Sequence, residues 1–398
     1  MPSSTSGSPI SKAGRGQKKA ALWRAVALAV AVLPRPGEGQ TVRGNEADTL
    51  SAQSGGAATY LVYRPDIRFG SEASAGPLNI LFNRGFSVMH FSGVERGLAD
   101  TDWGRGWANV SDALIHPGAA IERRGGWAKW LRTEWIPTNL DVWRWAWAPN
   151  YAGHVVAGGL TYRYLDEWAA AHGVPKPGLS AAAFLMGTMV LNEVIENQNN
   201  EQASASTVAD LLIFDPLGIF LFRIDGVARF FSETLHAADW SPMVAITAPD
   251  GRVQNVSQSF AYTVPLPHVT DRLRMLLLVG QGSQSGVTYE LSEGLSLGAA
   301  VGFDGDRRVL DPVTLEERVQ AEVTGGLFLD RDDSLLASLI FSPDGADLLA
   351  ANLYPGVLPG RLAELGLWFT MAENHQVRLG IGTRRTLGLG LGVEANRH

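Results

Sequence analysis

The sequence predicts an α+β chain, mainly β with a helical insert, and three observations carry that reading. From Pro242 onward, short segments alternate apolar with small or polar residues between turn residues. Between residues 101 and 240 the pattern is helical and rich in tryptophan. Ahead of it lie two β-like runs, Tyr60–Phe69 and Leu78–Ser92.

The clearest strands are the last ones. Leu365, Leu367 and Phe369 share a face of Glu364–Met371, and Val377, Leu379 and Ile381 share a face of Gln376–Thr383, opposite Arg378, Gly380 and Gly382. In Thr386–Glu394, Leu387, Leu389, Leu391 and Val393 face one way and Gly388, Gly390 and Gly392 the other. Successive strand side chains point to opposite faces, so each strand has one apolar face and one nearly bare one. Pro242–Pro249, Ser257–Pro265, Arg272–Gly282, Gly286–Leu291, Leu295–Phe303, Val319–Arg331 and Leu335–Ser342 are further strands, with turns at Asp304-Gly-Asp306 and Asp330-Arg-Asp332-Asp333.

Many consecutive antiparallel strands need closure or stacking to hide their edges. One apolar face per strand suits a lipid-facing exterior, so the expectation is an outer-membrane antiparallel β-barrel of about 8–12 strands, with helices packed in or against it. Glycine on the inner face leaves room for close packing, and the helices of 150–235 are the candidate. A soluble periplasmic sandwich competes. The ending Glu394-Ala-Asn-Arg-His398 favours it, because it lacks the terminal aromatic common in such barrels.

Residues 150–172 and 179–200 read as helices. The second opens with the apolar run Leu179–Leu191, too short to span a bilayer alone. A third runs from Val208 through Phe222, with Pro216 and Gly218 expected to break or kink it. Nine of the twelve tryptophans lie between Trp103 and Trp168, including Trp127, Trp130, Trp135, Trp143, Trp145 and Trp147. With the neighbouring Arg and Lys they suit a membrane–water interface, and Gly126–Trp135 an interfacial helix; an aromatic core patch is the alternative.

At the N terminus, Lys18, Lys19 and Arg24 flank a short apolar stretch, Ala25–Leu33, ended by Pro34, Pro36 and Gly37. A charged region before a short apolar one matches an export signal over 1–39, with an uncleaved anchor as the alternative. Residues 40–58 are Gly/Ala/Ser-rich and read as a linker, giving segments 59–100 (strands), 101–240 (helical, with a polar centre) and 241–398 (strands). The expected location is exported, at the outer membrane rather than in the periplasm, with membrane lipid as partner. The net charge of −7 offers no basic footprint for nucleic acid. The absence of cysteine removes disulfides, thiolate metal sites and a cysteine nucleophile.

The polar centre is the candidate site. Asn150 and His154 are four apart, Glu193 and Glu196 three apart with Asn197 beside them, and Asp210 and Asp215 flank the third helix. Residues three and four apart share a helix face, so these helices can aim His154, Glu193, Glu196 and Asp210 at one point, supported by Asn150, Asn197 and Asp215. Imidazole plus carboxylates suits a divalent metal, of identity the sequence leaves open. Closely spaced carboxylates in an apolar setting also suit acid–base hydrolysis. A hydrogen-bonded network that pins helices together explains the same residues without a ligand. No Glu-x-x-His or His-x-x-x-His metal motif, nucleophile elbow, P-loop or dinucleotide fingerprint accompanies them. Asp112 and His116, four apart before Pro117, read as a turn contact.

Trp107-Ala-Asn-Val-Ser-Asp112, His116-Pro117, Pro149-Asn-Tyr-x-x-His154, Asn192-Glu-x-x-Glu196-Asn197 and Ala209-Asp-x-x-x-x-Asp215-x-x-Gly218 resemble a bacterial envelope family catalogued as domain of unknown function 3943. The likeness covers roughly residues 100–270, at moderately specific spacing. It implies an exported, envelope-associated protein with a helical core followed by strands, and it marks Asn150, His154, Glu193, Glu196, Asp210 and Asp215. It implies no activity.

Overall fold

A computed structural model describes residues 60–91, 97–136, 149–248, 251–310, 317–343, 347–372, 376–384 and 386–393. The expected export signal, the linker, and Trp143, Trp145 and Trp147 lie outside the described residues.

The N-terminal runs are not strands. Tyr60–Phe69 is irregular, and two helices follow, α1 (Gly70–Ser74) and α2 (Pro77–Gly85), then a 3₁₀ turn, Ser87–His90. Pro77 sits in the first turn of α2, where its missing N–H costs nothing. Phe82 and Phe86 stack one helical turn apart, at 4.7 Å. The apolar residues here follow a helical period, and the alternation that suggested a strand is incidental.

The helical block holds α3 (Trp103–Ile115), α4 (Pro117–Arg123), α5 (Trp127–Trp130), α6 (Gly158–Ala171), α7 (Pro177–Glu196), α8 (Ala205–Ala209), α9 (Asp215–Phe222) and α10 (Asp225–Arg229). Among the described residues four π-helical stretches interrupt it: Leu131–Trp135, Asn150–Ala157, Asp210–Phe214 and Phe230–Thr234. The third helix does not break at Pro216. Pro216 falls in the first turn of α9, and the preceding π stretch absorbs the irregularity. Gly218 is needed for close approach, because a Cβ there would lie 2.7 Å from the Val155 carbonyl oxygen.

The strands are β1 (Ala238–Asp239), β2 (Ala245–Ala248), β3 (Val253–Gln254), β4 (Ser259–Pro265), β5 (Leu273–Gly280), β6 (Ser283–Ser292), β7 (Leu295–Leu310), β8 (Glu317–Arg331), β9 (Ser334–Phe341), β10 (Asp347–Leu353), β11 (Leu365–Ala372), β12 (Val377–Thr383) and β13 (Gly388–Val393). They form one 13-stranded sheet in the order β1-β4-β5-β6-β7-β8-β9-β10-β11-β12-β13-β2-β3. It is mixed, since β13 pairs with β2 in parallel. Among the described residues no pairing joins β1 to β3, so strand pairing does not close the sheet. Asp332 and Asp333, at φ 53° and 60°, make the expected tight turn between β8 and β9. Asp304-Gly-Asp306 is not a turn. It lies inside β7, where a bulge shifts the register between Gly305 and Arg307.

The two faces of the sheet differ. A register row runs from β4 to β13 through Val264, Met275, Val287, Ala299, Leu327, Leu339, Ala351, Phe369, Leu379 and Leu391. Along it Met275, Val287, Leu327, Leu379 and Leu391 are exposed. On the opposite face Leu276, Leu278, Ala300, Phe328 and Trp368 are buried with Trp240 and Met243 from the β1–β2 connection.

The leucines of β13 point outward, as the alternation predicts, with Leu389 74% and Leu391 60% exposed. What packs against the inner glycines is not the helices. A Cβ at Gly380 or Gly390 would strike the Trp368 ring, and one at Gly366 would strike the Met243 sulfur. The helices instead join Phe260 and Tyr262 of β4 in a core on the face opposite Ala261, which also takes in Val244 and Leu387. They therefore bridge the β4 side of the sheet to its β13–β2 side.

Candidate functional site

Three of the four π stretches carry a residue of the polar centre. Glu134 lies on Leu131–Trp135, Asn150 and His154 on Asn150–Ala157, and Asp210 opens Asp210–Phe214. A π turn widens the helix by one residue and redirects the side chains around it, and such turns are frequent at functional sites. Asp215 follows at the start of α9, while Glu193 and Glu196 occupy the last turn of α7 and Asn197 caps it.

His154 sits between two aspartates. Its Nδ1 is 3.0 Å from Asp215 Oδ1 and its Nε2 is 3.7 Å from Asp210 Oδ1. Asp215 is also 3.9 Å from the Arg84 guanidinium, which donates to the Gly153 carbonyl at 2.9 Å and to Gln258 Oε1. Gln258 in turn donates to Thr161 Oγ1 at 2.9 Å. Burial lowers the Arg84 pKa, and the Asp215 charge opposes that.

A second branch holds Glu193. Thr207 Oγ1 donates to its Oε2 at 2.6 Å and Asn197 Nδ2 donates to the same oxygen at 3.3 Å. Asn197 is itself fully buried and also donates to the Glu193 carbonyl at 2.9 Å. In a third branch Asn150 Nδ2 donates to the Glu134 side chain at 2.9 Å and to its carbonyl at 3.0 Å. The branches meet electrostatically at Asp210. Burial pushes its carboxyl well above the ordinary value of 3.8, and Glu193, Glu134, Glu196 and Asp215 add to the rise. Burial and like charge thus act in the same direction on Asp210, both favouring its neutral form.

All seven residues expected at the centre gather in one region. Glu196 is half-buried and takes part through its charge on Asp210. Arg84, Glu134, Thr207 and Gln258 were not anticipated. The available signals were a lone arginine within the apolar run Leu78–Ser92 and a lone glutamate between Trp130 and Trp135.

The remaining motif residues are structural. Asn109 Nδ2 donates to the carbonyls of Asn197 and Asn200 at 3.0 and 2.9 Å, fixing the turn after α7. Asn192 Nδ2 donates to the Arg84 carbonyl at 3.0 Å and ties α7 to α2. Asp112 meets His116 at 3.0 Å on the surface, the turn contact expected.

Chemically the centre sets an imidazole between two buried aspartates, in hydrogen-bond contact with Asp215 and within ion-pair distance of Asp210. Among the described residues no group of three or more His, Asp or Glu has the arrangement of a metal site. Neither of two cavities near the sheet is lined by His154, though Gln258 of the centre borders one of them.

No family model, curated protein or solved structure matches this chain. Its function is read from its own geometry.

Proposed function

We propose that this chain is an integral envelope protein of structural or transport-related role, seated in the outer membrane through the outer face of its sheet. In this reading the sheet wraps as a barrel, the helical unit seals the seam between β4 and the β13–β2 side, and the His154 centre is a hydrogen-bonded polar network that clamps the helices. One observation carries it: the apolar row crosses every strand from β4 to β13, with Met275, Val287, Leu327, Leu379 and Leu391 exposed and its other members exposed or half-buried. Exposed apolar side chains are ordinary singly, whereas a contiguous band marks a lipid or protein surface. A band on one face of alternating strands is the lipid-facing pattern of outer-membrane sheets.

Two helices, Pro177–Asn199 and Ala205–Phe222, are also long and apolar enough to cross a bilayer. About half of each is buried within the protein (50% and 56%), and both carry the buried acids of the centre, so we read them as core helices. The resemblance to an exported envelope family agrees with this reading.

The test is fractionation of the full chain, expressed with its own N terminus, followed by carbonate extraction of membranes. Retention in outer membranes supports the reading, and recovery in the soluble periplasmic fraction overturns it.

A second reading is a membrane-embedded hydrolase or metal-dependent enzyme acting on lipid or envelope material. It is favoured by the Asp210 carboxyl, raised above its ordinary value by burial, beside a His154 whose side chain remains 16% exposed. Loss of a lipid-hydrolytic activity in His154→Gln, with unchanged unfolding, would select it over the network.

A further inference from the structure

The buried face of the sheet encloses a cavity of about 130 Å³, apart from the His154 centre. A single water needs roughly 10–15 Å³ of such space, so this room is an order of magnitude larger. Its lining divides into two parts. Trp240, Leu278, Phe328 and Leu335 give it an apolar end, with the Trp240 and Phe328 rings 5.5 Å apart. Toward the Gly280–Gly282 turn it is lined by Gln284, Asp304 and Glu322.

Gln254 lines the same space and is 1% exposed, yet neither its Oε1 nor its Nε2 has a hydrogen-bond partner. Gln284 Oε1 is likewise unpartnered. Buried amide groups are nearly always paired, and an exception calls for an explanation such as water or a ligand. These amides border a room with space for more than water and with one apolar end.

Charge narrows the class. Three acids line the cavity, Asp304, Glu322 and Asp347. His90, from the Ser87–His90 turn, meets Asp304 at 3.1 Å, and Arg378 of β12 meets Asp347 at 3.1 Å. His90 and Arg378 are already engaged by these acids, so a carboxylate or phosphate entering here would give up its hydration and have to compete with Asp304 and Asp347 for a cation.

We propose that this cavity binds a small single-chain amphiphile with a neutral or cationic head group. Its alkyl body lies between Trp240, Leu278 and Phe328, and its head meets Gln254, Gln284 and the Asp304 side. The proposal goes beyond the outer-face reading and does not depend on it, since it concerns the opposite face of the sheet.

The test uses the full chain, purified in buffer if it fractionates as soluble and in lipid nanodiscs with empty nanodiscs as blank if it fractionates with membranes, titrated with octylamine, 1-octanol and octanoate and read by saturation-transfer NMR. Octylamine and 1-octanol should saturate, with octanoate weaker by about tenfold or more. Ala350→Phe projects from β10 into the cavity and should abolish binding while the unfolding midpoint is kept; Ser342→Leu serves if that variant does not fold. Asp304→Asn and Glu322→Gln should raise octanoate binding. Octanoate binding as tightly as octylamine, unchanged octylamine binding in the filled variant, or no saturable binding, which would leave a water-filled cavity, each overturn the proposal.

Discussion

His154 sets each ring nitrogen against a different aspartate, Asp215 at 3.0 Å and Asp210 at 3.7 Å. A side chain that serves two buried acids is hard to replace. His154→Gln keeps hydrogen-bonding capacity but shortens and turns the group that meets Asp215, and it removes the imidazole that stands within ion-pair distance of Asp210. A buried acceptor left unpaired costs about 1–3 kcal/mol, so this variant should unfold at lower denaturant by that amount. Asp210 makes a separate, signed prediction. Its folded pKa is raised, so the folded state keeps a proton over a range where the unfolded chain has released it. The stabilisation is therefore complete below the ordinary value of 3.8 and is lost as pH rises from there toward the raised value. Asp210→Asn should remove that slope and gain stability relative to wild type as pH increases. Urea unfolding at a series of pH values checks it, and an unchanged slope would show that Asp210 does not hold the proton.

At the scale of elements, Gly218 decides how α9 meets the stretch carrying His154. A Cβ there would come within 2.7 and 2.8 Å of the Val155 and His154 carbonyl oxygens, which are backbone and cannot swing aside. Gly218→Ala should cost about 1–3 kcal/mol, the usual penalty for overpacking, despite the better helix propensity of alanine. Thermal unfolding measures it, and a neutral or stabilising result would mean the helices part freely. Much at this scale was legible in the sequence. Leu387, Leu389 and Leu391 against Gly388 and Gly390 announce a strand because period two has no helical equivalent over that length. Asn150 with His154 and Glu193 with Asn197 could be paired by spacing alone. Other features were not legible. The π stretches escape notice because one added residue in a short apolar segment barely alters its period. Leu78–Ser92 read as a strand because a partly alternating run outweighed Pro77, the true marker of a helix start. The parallel pairing of β13 with β2 joins segments far apart in sequence, and no local pattern encodes it.

At the scale of the whole molecule, the sheet presents one face to its own side chains and the other outward except where the helices cover β4 and β5, and two substitutions in adjacent residues separate the faces. Leu389 is 74% exposed on the outer face, while a side chain at Gly390 would run into the Trp368 ring. If the outer face lies in lipid, Leu389→Arg should cost roughly 2–4 kcal/mol of insertion near the bilayer midplane. The residue touches little protein, so the packing inside the sheet should persist and near-ultraviolet circular dichroism of the solubilised chain should match wild type. Gly390→Leu should do the reverse: it displaces Trp368 and alters the tryptophan spectrum, while the apolar outer row that would drive insertion is intact. Both variants are read by membrane fractionation and by that spectrum. A Leu389→Arg chain that partitions into membranes as wild type does would mean that the outer row meets something other than lipid, such as a protein partner or a second copy of the sheet.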